Sequence, residues 1–162
     1  MYGRDMSTTT PGHAQPTGGE LNGLAVSATF HCLIGCAAGE VAGVAIGTAL
    51  GWSDIATIAL AIGLAYVFGF SLTSLPLVRA GLAFGAIVPI ALAADTVSIT
   101  IMEVIDNAFV LVVPGAMEAG VGDLLLWASV AGGFVVAFPF AWAANRYMIA
   151  RGKGHAVVHE YH

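Results

Sequence analysis

What this chain can fold into is limited first by an apolar run from about Leu21 to Trp52. About 20 apolar residues are enough for a helix to cross the hydrocarbon core of a bilayer. Inside the run, Phe30 to Leu50 reads F-H-C-L-I-G-C-A-A-G-E-V-A-G-V-A-I-G-T-A-L and carries His31, Cys32, Cys36 and Glu40. Gly35, Gly39, Gly43 and Gly47 recur every four residues, on one slowly drifting helix face. Polar groups at membrane depth are expensive, and glycine weakens a helix unless something packs against it. The segment is therefore expected to face protein or a cavity, not lipid.

The rest of the chain has the same character. Hydrophobic residues make up 58% of the 162 and charged residues 9%, and the mean hydropathy of +0.87 lies outside the soluble range. Such a length accommodates one domain of four or five spanning helices and little else. A net charge of -5 and the lack of a basic stripe argue against nucleic acid as a partner. Two cysteines four residues apart on a helix are poorly placed for a structural disulfide. Residues 1-20, rich in Ser, Thr, Pro and Gly, read as a disordered tail. No basic cluster leads into the first apolar run, which is longer than a signal-peptide core, so it is expected to be retained as a span.

Taken in order, the first span ends at the turn Gly51-Trp52-Ser53-Asp54, and a second runs from about Ile55 to Leu75, where Pro76 is expected to stop it. Gly81 to Pro114 is ambiguous, too long for one straight span and barely long enough for two. A turn-rich acidic loop, P-G-A-M-E-A-G-V-G-D, follows. A last span from Leu124 to Trp142 leads into Asn145-Arg146, with Pro139 expected to kink it, and then into a tail holding His155, His159 and His162. Arg146, Arg151 and Lys153 place the C-terminus in the cytoplasm by the positive-inside rule. With four spans the N-terminus and Arg79 are cytoplasmic too, and Asp54, Glu118 and Asp123 fall outside. Five spans would misplace either Arg79 or the C-terminal cluster. The reading is an all-α bundle of four spans over residues 21-150, with Gly81 to Pro89 as an entry segment and residues 151-162 as a His-containing tail. Trp52 and Trp127 would mark the outer interface, Trp142 and Tyr147 the inner one.

Candidate chemistry lies on two helices. Cys32, Cys36 and Glu40 follow i, i+4, i+8 spacing and share one face. Two thiols one turn apart can reach a single soft ion such as monovalent copper or zinc, or they can be small core residues. His31 points about 100° away and would join such a site only through a local distortion. On the third span Asp95, Ser98, Met102 and Asp106 follow 3-4-4 spacing, with Glu103 and Asn107 beside them. Ser98 and Asn107 suit interhelical hydrogen bonds, and Asp95 also reads as a helix cap at the cytoplasmic end. No Lys or Arg lies within a span to neutralise the acids. Clustered anions in a low dielectric hold protons or capture a cation. The glycine stripe offers a groove for the third helix, which would bring Cys36 and Glu40 near Met102, Glu103 and Asp106. It equally offers a seam for a second copy of the chain.

The motifs H-C-x-x-G-C-x-x-G-E, F-G-F-S-L-T-S-L-P-L, A-D-T-V-S-I-T-I-M-E-V-I-D-N and N-R-Y-M-I-A-R-G-K-G-H-A-V-V-H together resemble the domain of unknown function 4396 family of small bacterial integral membrane proteins. The resemblance covers nearly the whole chain after the N-terminal tail. It implies a multi-span domain in a bacterial cell membrane and no particular activity. Its recurring residues map to His31, Cys32, Cys36, Glu40, Asp95, Ser98, Met102, Glu103 and Asn107.

The leading expectation is a membrane protein, not an enzyme, that binds or conducts a cation. A transition-metal ion comes slightly ahead of a proton or sodium, held by His31, Cys32, Cys36, Glu40, Met102, Glu103 and Asp106. No phosphate loop, G-x-S-x-G elbow or H-E-x-x-H is present. The alternatives are a non-catalytic membrane scaffold that docks a partner protein, and a thiol redox protein using Cys32 and Cys36.

Overall fold

A computed structural model describes residues 18-79 and 81-151, which form four helices and, among the described residues, no strand. The helices are α1 (Gly18–Ala49), α2 (Asp54–Arg79), α3 (Phe84–Val112) and α4 (Leu124–Ala150), each long and apolar enough to cross a membrane. The chain is a multi-pass membrane protein of four spans. Residues 18-20, expected in the N-terminal tail, already form the start of α1; His13, His155, His159 and His162 lie outside the described residues.

Two glycines end helices in the same way. At Gly51 (φ +65°) the Trp52 amide donates to Gly47 O at 2.9 Å and the Gly51 amide to Thr48 O at 3.1 Å. At Gly81 (φ +79°) the Leu82 amide donates to Leu77 O at 3.2 Å and the Gly81 amide to Val78 O at 2.9 Å. This paired closure satisfies the last carbonyls and needs a left-handed residue, the conformation glycine adopts without a Cβ clash.

Two prolines behave differently from expectation. Pro76 does not end the second span, because α2 continues through it to Arg79 and buries Leu77 completely. Close to a helix terminus the ring forfeits only one backbone bond, and the Gly81 closure supplies the stop. The entry segment shrinks to residues 81-83, with Pro89 inside the second turn of α3, so Gly81 to Pro114 makes one span. Pro139 lies inside α4 as expected, while α4 runs eight residues past the expected end at Trp142.

Consecutive helices pack side by side, α1 on α2, α2 on α3 and α3 on α4, while α4 closes back on α1 and α1 also touches α3 across the centre. At the end bearing Arg79, Arg146 and Arg151, the Arg146 Nε donates to Asn22 Oδ1 at 2.7 Å and ties α4 to the start of α1. Large apolar side chains such as Phe30, Val67, Val104 and Val135 point outward, whereas Asp95, Ser98, Glu103, Asp106 and Asn145 point inward. Apolar surface outside and polar groups inside is the arrangement a helical bundle needs in lipid.

The glycine stripe explains how closely α1 and α2 approach. A Cβ built on Gly35 would come within 2.8 Å of Gly69 Cα, and one on Gly39 would meet the backbone of Ala65. Gly43 faces Ala61 and Gly47 faces Thr57 in the same manner. The groove offered to α3 or a second copy is therefore filled by α2 of the same chain. Its matching face, Ala61, Ala65, Gly69, Thr73 and Leu77, repeats at four-residue spacing.

Candidate functional site

With the glycine face committed to α2, the adjoining face of α1 turns to the centre of the bundle. It presents Thr29, Cys32, Cys36 and Glu40, all buried. α3 answers with Asp95, Ser98, Ile99, Met102, Glu103, Asp106 and Val110, the 3-4-4-spaced face read from sequence. Cys32, Cys36 and Met102 belong to one core cluster, along with Ile99 and Phe134. The two helices thus meet although the stripe itself is occupied elsewhere.

Three carboxyls gather toward the acidic-loop end. Glu40 of α1 stands close enough to Asp106 and Glu103 of α3 for the three to interact electrostatically, and Cys36 adjoins Glu103. Only 8% of Glu40, 5% of Glu103 and 1% of Asp106 is exposed. Glu40 Oε2, Glu103 Oε1 and both Asp106 carboxyl oxygens are buried without a hydrogen-bond partner in the protein. The Asn107 amide donates to Glu103 O at 2.9 Å and, less closely, to Glu103 Oε2 at 3.5 Å. Asp106 fits because α4 offers Gly133, where an added Cβ would meet its Oδ1. No ion pair occurs among the described residues at this centre, so the charges have no fixed cationic partner.

From this trio a polar line continues toward the arginine-bearing end. Asp95 lies about 16 Å from Asp106 along α3 at 1.5 Å per residue. The Cys32 thiol donates to Asp95 Oδ1 at 3.8 Å, and Thr73 of α2 stands beside the same carboxyl. Asn145 of α4 donates through Nδ2 to Thr29 Oγ1 and to Ser98 Oγ, both at 3.0 Å. Asp95 is no helix cap: α3 starts eleven residues earlier, and Asp95 is fully buried within it.

On the other side of the trio a cavity of about 140 Å³ opens at the acidic-loop end. Its wall includes Glu40, Thr48, Trp52, Asp54, Asn107 and Met117. A water needs roughly 10–15 Å³ by this measure, so the space admits several and reaches the first carboxyl of the trio.

Of the residues expected from sequence, the structure brings together Cys32, Cys36, Glu40, Met102, Glu103 and Asp106, with Asp95, Ser98 and Asn107 on the same interior face. His31 is half-buried on an undistorted helix, off the face that carries Cys32. The soft ligands do not converge. Cys32 adjoins Asp95 and Cys36 adjoins Glu103 and Glu40, yet among the described residues no three of His, Cys, Asp and Glu come close enough to hold a metal ion. Both thiols are free and fully buried, which leaves an incoming thiol no approach.

Four buried polar residues escaped the sequence reading: Thr29, Thr73, Asn145 and Ser129, the last of which donates back to Leu125 O at 2.7 Å. Thr29 continues the Cys32-Cys36-Glu40 face one turn back, and that spacing could have found it. Thr73 continues the small-residue face of α2. Asn145 falls beyond the end expected for the last span at Trp142. Its place four residues after Ala141 on the buried face of α4 is the signal that would have corrected it.

A family model described as a domain of unknown function, DUF4396, matches residues 23–154. No curated protein and no solved structure matches the chain.

Proposed function

The chain belongs to the DUF4396 family, whose description carries no activity, and from its own geometry we propose that it binds protons at Glu40, Glu103 and Asp106 and passes them across the membrane. The observation that supports this reading is a trio of carboxyls, each more than nine-tenths buried, with orphaned oxygens and, among the described residues, no cationic side chain beside them. A buried carboxylate without a partner is too costly to keep, so a proton or another cation must supply the missing charge.

The proton is favoured over a transition metal because, among the described residues, no three of His, Cys, Asp and Glu converge into a shared ligand set. Protons enter by water in the cavity at the acidic-loop end, lodge on Glu40, and are shared with Asp106 and Glu103. Cys36, Cys32 and Asp95 continue the line toward the opposite end. By the positive-inside rule that end, with both termini, faces the cytoplasm of a bacterial cell whose plasma membrane holds the protein.

The test is an imposed pH gradient across vesicles containing the purified protein, followed with an internal pH-sensitive dye. Wild-type vesicles should collapse the gradient faster than empty ones. Asp106→Asn and Glu103→Gln should slow that collapse about a hundredfold, the lower range for loss of a positioned proton-transfer group. Wild-type vesicles no faster than empty ones would overturn the reading and leave the membrane scaffold that docks a partner.

A further inference from the structure

The cavity at the acidic-loop end is larger and more apolar than a path for water requires. Glu40, Val44 and Thr48 line it at four-residue spacing along α1, about 12 Å from first to last at 1.5 Å per residue. Glu40 is only 8% exposed, and its Oε2 is buried without a hydrogen-bond partner. At the other end Thr48, Trp52 and Asp54 are exposed, so the space runs from a buried carboxyl to the turn between α1 and α2. Its remaining lining is largely apolar, with Val44, Ile58, Val110, Met117, Leu126 and Val130. Among the described residues no Lys, Arg or His lines it.

These features select a ligand with two parts. Oε2 is an acceptor without a donor, where a lone carboxylate is costly, so it calls for a positively charged group that bears N–H. A bare metal ion would shed its water among apolar side chains, and among the described residues no three of His, Cys, Asp and Glu converge to replace it. Apolar walls instead cover a hydrocarbon body, and the unbranched Met117 adapts to its shape. At the mouth the Trp52 indole attracts an organic cation through its ring face, and Asp54 adds its charge. With about 140 Å³ and roughly 10–15 Å³ per water, the space holds on the order of ten waters, or a cation of about that many non-hydrogen atoms.

We propose that this cavity binds a protonated alkylamine, whose ammonium donates to Glu40 Oε2 while its hydrocarbon chain lies along Val44, Val110, Met117 and Val130. Trp52 and Asp54 gather the cation at the mouth. The site deepens the proton reading by giving its entry carboxyl a second cation. It rests on that reading in one respect, that Glu40 gives up a proton before the ammonium pairs with it.

The experiment is thermal unfolding of the full-length protein in detergent, at constant ionic strength and neutral pH, where an alkylamine stays protonated. The probes are n-hexylamine and 1-hexanol, which has the same chain and enters micelles without the charge. Hexylamine should raise the midpoint saturably, and hexanol should not. Glu40→Gln should abolish the rise, and so should Thr48→Trp, which fills the cavity. Glu118→Gln removes a loop charge outside the cavity and should keep the rise in full. A rise equal for both probes, none for either, one that survives Glu40→Gln or one lost in Glu118→Gln would overturn the proposal. Should Glu40→Gln fail to fold, Thr48→Trp decides, and an undiminished rise there overturns the site. Vesicles that conduct protons while hexylamine leaves the midpoint unmoved would refute the amine site alone. A saturable rise without proton flux would refute proton passage alone.

Discussion

Gly39→Ala and Gly63→Ala make the same chemical change and should have opposite effects. At Gly35 an added methyl carbon would stand 2.8 Å from Gly69 Cα. Carbon atoms pack at about 3.5–4.0 Å, so α1 and α2 would part by roughly 0.7–1.2 Å there. At Gly39 the methyl meets the Ala65 amide nitrogen and Cα, nearer still and unable to rotate aside. A gap of that size forfeits about a quarter to a half of each affected dispersion contact. Overpacking of this kind costs about 1–3 kcal/mol, against a gain of about 1 kcal/mol in helix propensity. The net expectation for Gly39→Ala is a loss of up to about 2 kcal/mol, toward that upper end because the Ala65 backbone cannot rotate aside. Nothing lies within 4 Å of a Cβ on Gly63, so Gly63→Ala keeps the propensity gain, up to about 1 kcal/mol. Unfolding in mixed micelles titrated with sodium dodecyl sulfate, followed by loss of helix signal, measures both. A Gly39→Ala protein as stable as wild type, or a Gly63→Ala protein destabilised as much, would refute the packing of α1 on α2.

Other expectations follow from named contacts. Gly133→Ala pushes on Asp106 Oδ1 and should reduce proton flux at least about tenfold while helix content in circular dichroism is retained. Thr48→Trp fills the cavity that leads to Glu40, and should slow flux in vesicles without lowering the unfolding midpoint. Cys32 and Cys36, free and fully buried, should resist a membrane-impermeant maleimide in the native protein and react once it is unfolded. The Cys32→Ser/Cys36→Ser variant should purify with the same metal content as wild type, by elemental analysis. More metal in wild type would restore the thiol site.

Much of this architecture could be read from residues in advance. Span number followed from apolar length and from the one-sided placement of arginines, both of which act over whole segments. The interior faces of α1 and α3 followed from spacing, because a costly carboxyl inside an apolar helix has few places to point. What could not be read was which helix fills which groove. Gly35 to Gly47 declare that something comes close, but only the equally small face Ala61-Ala65-Gly69 decides for α2. The prolines misled for a related reason. The cost of Pro76 depends on how near the helix terminus falls, and that terminus is set by the closure at Gly81. Asn145 escaped because the last span was expected to end at Trp142, whereas α4 continues and carries it into the interior.

The central claim is that Glu40, Glu103 and Asp106 hold and release protons inside the bundle. The measurement closest to it is infrared difference spectroscopy of the protein in membranes, following the carboxylic-acid C=O band as pH is stepped. A band that grows and fades reversibly, and that loses intensity in Glu103→Gln and again in Asp106→Asn, is the predicted result. A band absent at every pH, or one unchanged by both substitutions, would contradict it.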